Sequence, residues 1–240
     1  LAGIRREWMP DLVPATSVVG FLTPSAAADL GLVPGTPVIG GTPDVQSAAV
    51  GSGAVRDGEG HLYLGTSSWL SCHVPYKKTD ALRGVASLPS PLPGRYFVAD
   101  EQETAGACLN WLRDQVLYPD DELGGAPAPE DLYARIDRLA DATPPGSRGV
   151  IFTPWLNGER TPVDDHTIRG GWHHLSLRND RADMVRAVLE GVAFNSRWLL
   201  DAVERFTGTP FPWLNVVGGG GNSAVWAQIH ADVLDRPVRR

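Results

Sequence analysis

Trp213-Leu214-Asn215-Val216-Val217-Gly218-Gly219-Gly220-Gly221-Asn222 is the stretch that decides the fold: a short apolar strand runs into four consecutive glycines, and a long helical pattern follows. Glycines in that place let the backbone approach a flat or charged ligand, because no Cβ stands in the way. The helix behind them turns its free N–H groups and positive dipole end toward the same ligand. A strand, turn and helix of this kind point to a nucleotide, and the remaining sequence has to say in which fold.

The two commonest nucleotide motifs do not fit. A βαβ dinucleotide site needs a further glycine and an acid about 20 residues later. Here Gly218 and Gly220 are followed by Ser223, and no suitable second strand is read beyond the helix. A P-loop needs Gly-Lys-Ser/Thr, which is absent. Two other small-residue turns do stand out, Gly40-Gly41-Thr42-Pro43-Asp44 and Gly65-Thr66-Ser67-Ser68. Paired hairpin-type turns can hold a triphosphate between two lobes, with backbone amides and a threonine hydroxyl on the phosphates. Asp44, at a helix start beside such a cleft, is placed to accept the proton of an attacking alcohol, and phosphoryl transfer asks little more of a protein than positioning, a metal and such a base.

Bulk composition narrows the class. With 240 residues and 42% hydrophobic side chains, the chain can bury a sizeable core. A net charge of −7 without any basic run argues against a nucleic-acid surface. Cys72 and Cys108 are too few for a disulfide framework or a zinc site, which makes reduced thiols and a cytoplasmic location the expectation. No apolar run has the length of a membrane helix, and no signal peptide is read. The chain starts at Leu1 rather than Met and closes on Arg239-Arg240, so a piece of a longer protein is expected.

Residues 1–36 read as irregular and proline-rich with a short helix around Ser25 to Leu30. A buried strand is expected at Pro37 to Gly40, and a small-residue helix from Asp44, in the N-cap place, through Ala54. Val55 to Gly60 read as a hinge. His61 to Leu64 and Trp69 to Val74 read as two strands of a hairpin. Loops through Pro93, a strand at Tyr96 to Ala99, helices over Glu103 to Val116 and Pro129 to Ala140, and a short strand at Val150 to Phe152 follow. Arg181 to Phe206 form the longest helix, with Met184, Val188, Val192 and Leu199 at helical spacing.

With these motifs in order, the chain resembles the FGGY family of carbohydrate kinases, most of all its xylulokinase branch. The resemblance rests on Gly40 to Gly51, Leu62 to Ser68, Asn157-Gly158-Glu159-Arg160-Thr161-Pro162, Arg186 to Gly191, and Gly218 to Ser223 continuing to Trp226-Ala227-Gln228-Ile229. It implies an α/β, actin-like ATPase (ribonuclease H-like) fold with a mixed sheet flanked by helices, and two domains with ATP and sugar between them. Residues 1–54 would be the tail of the N-terminal, sugar-binding domain and 58–240 a C-terminal, ATP-binding domain truncated at its end. The first phosphate loop, the metal-binding acid and most sugar contacts would belong to the part not represented here.

Carried over residue by residue, the resemblance makes Asp44 the catalytic aspartate and a sugar contact. Gly65, Thr66 and Ser67 become the loop on the ATP phosphates, and Gly219, Gly220 and Asn222 the adenosine site, with Trp226 and Gln228 packing behind. No metal ligand is carried over, although Mg²⁺ is implied as counter-charge to ATP. Val45 stands where the family often has Asn or Gln, so one sugar contact is absent or passes to Gln46. Thr42-Pro43 replace the usual small pair, and His174 stands where the family's second signature prefers glycine. The implied reaction phosphorylates a sugar or polyol hydroxyl, D-xylulose to D-xylulose 5-phosphate first. Glycerol, ribulose or another polyol, or a non-catalytic actin-like nucleotide-binding module, stay open. Partners would be the sugar and ATP, with room for a homodimer and with neither nucleic acid nor membrane.

Plainer readings stand beside these. Asp44 could be only a helix cap, and Gly65 to Ser68 only a hairpin turn. His173 and His174, adjacent on a strand, would point to opposite faces and be structural. Glu159-Arg160 reads as a loop-anchoring ion pair before a catalytic pair. Trp69, Trp111, Trp155, Trp172 and Trp198 read as core or domain-packing residues, and Cys108 has no histidine partner to make it a nucleophile.

Overall fold

The computed structural model describes residues 3–124 and 126–240. In the leading segment, strands β1 (Val18–Phe21) and β2 (Pro37–Ile39) pair antiparallel on either side of helix α1 (Pro24–Leu30). Thr23 starts α1 by accepting the Ala26 N–H on its hydroxyl oxygen. Helix α2 (Asp44–Gly51) follows. Two expectations change here. β1 is a strand within a stretch read as irregular, and β2 is exposed instead of buried: among the described residues it pairs only with β1, and Val18, Phe21 and Ile39 are all more than half exposed.

Strands β3 (Gly60–Leu64), β4 (Ser68–Val74), β5 (Thr79–Asp80), β6 (Val85–Pro89) and β7 (Tyr96–Gln102) come next. Helix α3 (Gly106–Leu112) is continued by a wider π-type turn through Leu117, and α4 (Leu132–Ala142) lies beyond it. A small antiparallel pair, β8 (Ile151–Thr153) and β9 (Gly171–His173), precedes the long helix α5 (Arg181–Thr207). Strand β10 (Leu214–Val217), a tight turn over Gly219–Asn222, helix α6 (Ala224–Leu234) and strand β11 (Val238–Arg239) close the chain.

The main sheet has seven strands in the order β11-β10-β3-β4-β7-β6-β5, parallel from β11 to β3 and antiparallel from there on. This is the expected mixed sheet. Strand alternation gives it two unlike faces. Leu62, Leu64, Leu70, Cys72 and Val98 pack on Leu199, Leu200, Val203 and Phe206 of α5. The opposite face carries cross-strand pairs His61–Ser71 and Tyr63–Trp69, and Asn215 of β10 donates to the Ser52 carbonyl just past α2 at 2.9 Å. The other half of α5, Val185 to Ala193, packs with α3, α4, β8 and α6 in a second core.

α5 shows why the pattern was readable. Asp180 accepts the Ala182 and Asp183 N–H groups while Asp183 accepts that of Asp180, a reciprocal capping box, and Gly208 ends the helix in the left-handed region. Elsewhere the sequence reading is corrected. A second parallel strand does follow the glycine run, as β11, but it is two residues long. β5 and β6 replace what read as loop. Pro43, not Asp44, is the residue before α2, so Asp44 is the first helical residue and its carboxylate accepts only the adjacent Val45 N–H, at 2.8 Å. β9 ends at His173, and His174 has φ +63°, the left-handed region that favours glycine. Among the described residues no helix is long and apolar enough to cross a membrane.

Candidate functional site

Two concavities open on either side of the β3–β4 turn. The first is a cleft of about 640 Å³ whose lining includes Gly65, Thr66, Gly219, Gly220 and Asn222. Sequence reasoning placed these five in a nucleotide site, and the fold brings them to one wall. The floor depends on missing side chains. Gly218 has φ +97°, and a Cβ there would meet the Leu64 carbonyl oxygen at 2.5 Å. A Cβ on Gly220 would lie 2.8 Å from the Trp226 ring, whereas one on Gly219 would meet nothing within 4 Å. The glycine run therefore lies flat on Leu64 and Trp226 and turns an open strip of backbone to the cleft. Trp226 is itself fixed, its indole N–H donating to the Leu189 carbonyl at 3.0 Å.

Apolar Leu109, Ile136 and Leu189 complete the walls, and polar groups ring the mouth. Ser223 caps α6 by accepting the Trp226 N–H and donates to Asp137 of α4 at 2.7 Å, tying two walls together. Apolar walls, a Cβ-free strip and a few convergent polar groups suit a small flat ligand such as a nucleotide. The turn is anchored from behind: the Thr66 carbonyl accepts the Ala105 and Ala107 N–H groups at 2.9 and 3.0 Å.

The second cavity, about 530 Å³, is lined by Asp44, Val45, Ala48, His61, Tyr63, Ser67 and Trp69. Asp44 stands at its mouth on the exposed start of α2. Tyr63 lines both concavities and forms the wall between them. Its ring is packed so closely on the turn that a Gly65 Cβ would lie 2.4 Å from the phenol oxygen.

The structure redistributes several expected residues. Ser67 faces the Asp44 cavity, not the cleft of Thr66. Gln46 does not line that cavity: its side chain accepts from the Thr42 hydroxyl and donates to the Pro89 carbonyl at 2.9 Å. Trp69 is no core residue but part of the cavity wall, its indole N–H on Ser67 Oγ at 3.2 Å. Gln228 is exposed and donates to Asp232 one turn on, so it does not pack behind the glycine run. Glu159 and Arg160 do not pair through their side chains. Buried Glu159 accepts the Glu103 and Arg160 backbone N–H groups at 2.9 Å, and Arg160 reaches Glu101 and Glu103 at 2.5 and 3.0 Å. Burial raises the Glu159 pKa above the usual carboxylate value. The pair's role stays structural, as a clamp on the end of β7.

Sequence reasoning gave no role to Tyr63, His61 or Gly106, all three in or against the site. Tyr63 and His61 sit two residues apart on β3, just before the turn already singled out, and that period-two spacing was the available signal. Among the described residues no group of three or more His, Cys, Asp or Glu side chains could hold a metal ion. Mg²⁺ is commonly held by one or two carboxylates together with substrate phosphates, so the described residues offer no dedicated cage for it. Cys72 and Cys108 are buried, which pushes both thiols up to about 12.

Comparison with known proteins follows the same lines. The sequence profile of the FGGY family of carbohydrate kinases, C-terminal domain, matches residues 61–240, and that of the N-terminal domain matches residues 1–51. A xylulose kinase of Staphylococcus epidermidis is 31% identical over 96% of this chain and 44% of its own length. A gluconokinase of Bacillus subtilis is 28% identical over 99% of this chain and 46% of its own. Among solved structures, one described as a xyloylose kinase from Brucella ovis superposes with a TM-score of 0.84 at 31% identity, covering 98% of this chain and 46% of the other. The chain thus spans less than half the length of the relatives it matches.

Proposed function

Because this chain belongs to the FGGY family of carbohydrate kinases, we propose that it forms the ATP-binding half of an enzyme that phosphorylates D-xylulose to D-xylulose 5-phosphate. In this reading residues 1–54 are the tail of a sugar-binding domain and 58–240 an ATP-binding domain, and the exposed apolar side chains around β1 and β2 are covered by the rest of the first domain.

The observation that carries the proposal is the shared wall: Tyr63 borders both the glycine-floored cleft and the Asp44 cavity, and the turn behind it gives Thr66 to one and Ser67 to the other. A nucleotide lying on Gly219 and Gly220 with its phosphates at Gly65 and Thr66 would end beside the place where an acceptor meets Asp44. Asp44 takes the proton of the acceptor hydroxyl as that oxygen bonds to the γ-phosphorus; the bond from that phosphorus to the β-phosphate bridging oxygen breaks and ADP leaves. Asn222 borders the adenosine end. Closing two domains over both ligands would exclude water, which would otherwise compete as acceptor.

Gluconate is the second acceptor to weigh, given the gluconokinase relative. The test is ADP release by the full-length protein with D-xylulose, D-ribulose, glycerol and gluconate. Turnover well above background with D-xylulose, and weaker with the others, is expected. Turnover with gluconate alone would move the substrate; turnover with none would leave a nucleotide-binding module.

A further inference from the structure

The Asp44 cavity holds a group that the mechanism above does not use. His61 lies on its floor, fully buried. On the neighbouring strand its register partner Ser71 holds one side of the ring, with Nδ1 and the hydroxyl oxygen 2.9 Å apart. The other ring nitrogen, Nε2, has no hydrogen-bond partner among the described residues. A buried polar atom left so is costly and calls for an explanation, and His61 is among the residues that line the cavity. His73 and His230 also keep an unpartnered Nε2, but neither lines this cavity or the cleft. His73 is held by Ser90 and packs on Phe97, and His230 packs on Trp226.

We propose that His61 is an acceptor-binding residue, its Nε2 hydrogen-bonded to a hydroxyl of the polyol that Asp44 deprotonates. This rests on the kinase reading above and adds the contact. A hydroxyl suits the position because it both donates and accepts. If Ser71 donates to Nδ1, Nε2 carries the hydrogen; if Nδ1 donates to Ser71, Nε2 accepts. Burial lowers the pKa of His61 to about 4, so the ring is neutral at physiological pH and offers no charge to a phosphate. A neutral ring on a cavity with Ser67 and Trp69 suits a polyhydroxylated carbon chain, the acceptor class of the reading above. Ser67 and the Trp69 ring on the same cavity add a second hydroxyl contact and an apolar surface for its C–H groups.

The experiment uses the full-length protein, D-xylulose and ATP. The amide of His61→Asn reaches only as far as Nδ1 and keeps the Ser71 bond, whereas that of His61→Gln reaches the place of Nε2. His61→Asn is expected to raise the KM for D-xylulose about tenfold, the worth of one neutral hydrogen bond, with the KM for ATP unchanged. His61→Gln should restore most of that loss. An unchanged D-xylulose KM in His61→Asn, or a parallel rise in both KM values in both variants, overturns the proposal. Should a variant not fold, wild-type protein labelled with ¹⁵N-histidine decides: the His61 Nε2 resonance must move on adding D-xylulose, and a stationary resonance overturns the proposal too. Absence of wild-type turnover with every acceptor tested would instead sink the kinase reading, and this inference with it.

Discussion

Gly106 donates its N–H to the carbonyl oxygen of Gly65 at 2.8 Å, and a Cβ on Gly106 would lie 2.5 Å from that same oxygen. The first residue of α3 thus touches the turn that carries Thr66, backbone against backbone, with no flexible side chain to give way. Gly106→Ala has to push α3 or the turn aside. A loss of roughly 1–3 kcal/mol of stability is expected, as for other overpacked sites. If the turn holds the ATP phosphates, the KM for ATP should rise about tenfold while that for the acceptor moves less. Urea denaturation and steady-state kinetics check both, and an unchanged ATP KM would detach the turn from the nucleotide.

What the sequence made legible follows from length and locality. α5 was readable because its apolar period persists over 27 residues and its ends carry Asp180, Asp183 and Gly208. Five residues of the cleft were readable because glycine runs and small-residue turns are local signals. β11, with two residues, and β5, also with two, are too short to show any period. The side of the turn to which Ser67 points depends on α3, some 40 residues away in sequence, gripping the Gly65 carbonyl; no local pattern holds that information. The engagement of Gln46 by Pro89 of β6 is non-local in the same sense, as is the choice of Glu101 and Glu103, rather than Glu159, as partners of Arg160.

Arg186 and Glu190 form a buried pair one turn apart on α5, at 2.7 Å, with both side chains under one-tenth exposed. Glu190 also accepts from the Gly146 N–H and the Ser147 hydroxyl, and Arg186 donates to the Ala140 carbonyl. Glu190→Ala strands a buried guanidinium and two further donors, so about 3–5 kcal/mol is expected to be lost. Asp131→Asn removes the exposed pair with Arg135 on α4 and should cost far less, because solvent screens it. Chemical denaturation of both variants side by side tests the contrast.

Asp100 faces the apolar side of β7, one carboxylate oxygen is unpartnered, and burial raises its pKa to about 7. The folded state therefore holds a proton on Asp100 that the unfolded chain releases near pH 4. Between those values the unfolded chain binds fewer protons, so this group's contribution to stability falls as pH rises from about 4 to about 7. Asp100→Asn removes the titration. The variant should gain stability relative to wild type at pH 8, on the order of 1–3 kcal/mol, and show no such gain at pH 4. Melting temperatures across pH 4 to 8 read this directly; a constant difference at all pH values would mean that the carboxyl does not titrate in that range.

Asp44 supplies the most decisive test, because its structural and chemical roles separate cleanly. In the structure its carboxylate does one thing for the fold, accepting the Val45 N–H at 2.8 Å on the exposed start of α2. An asparagine oxygen accepts that bond as well, so Asp44→Asn should leave the melting temperature essentially unchanged. An amide cannot take a proton from an alcohol. If Asp44 is the base, kcat should fall about 10²- to 10⁴-fold while the KM for ATP, whose proposed cleft lies on the other side of Tyr63, stays near the wild-type value. Full retention of acceptor-dependent ATP turnover in the folded variant would reduce Asp44 to a helix-start residue and leave the second cavity without its chemistry.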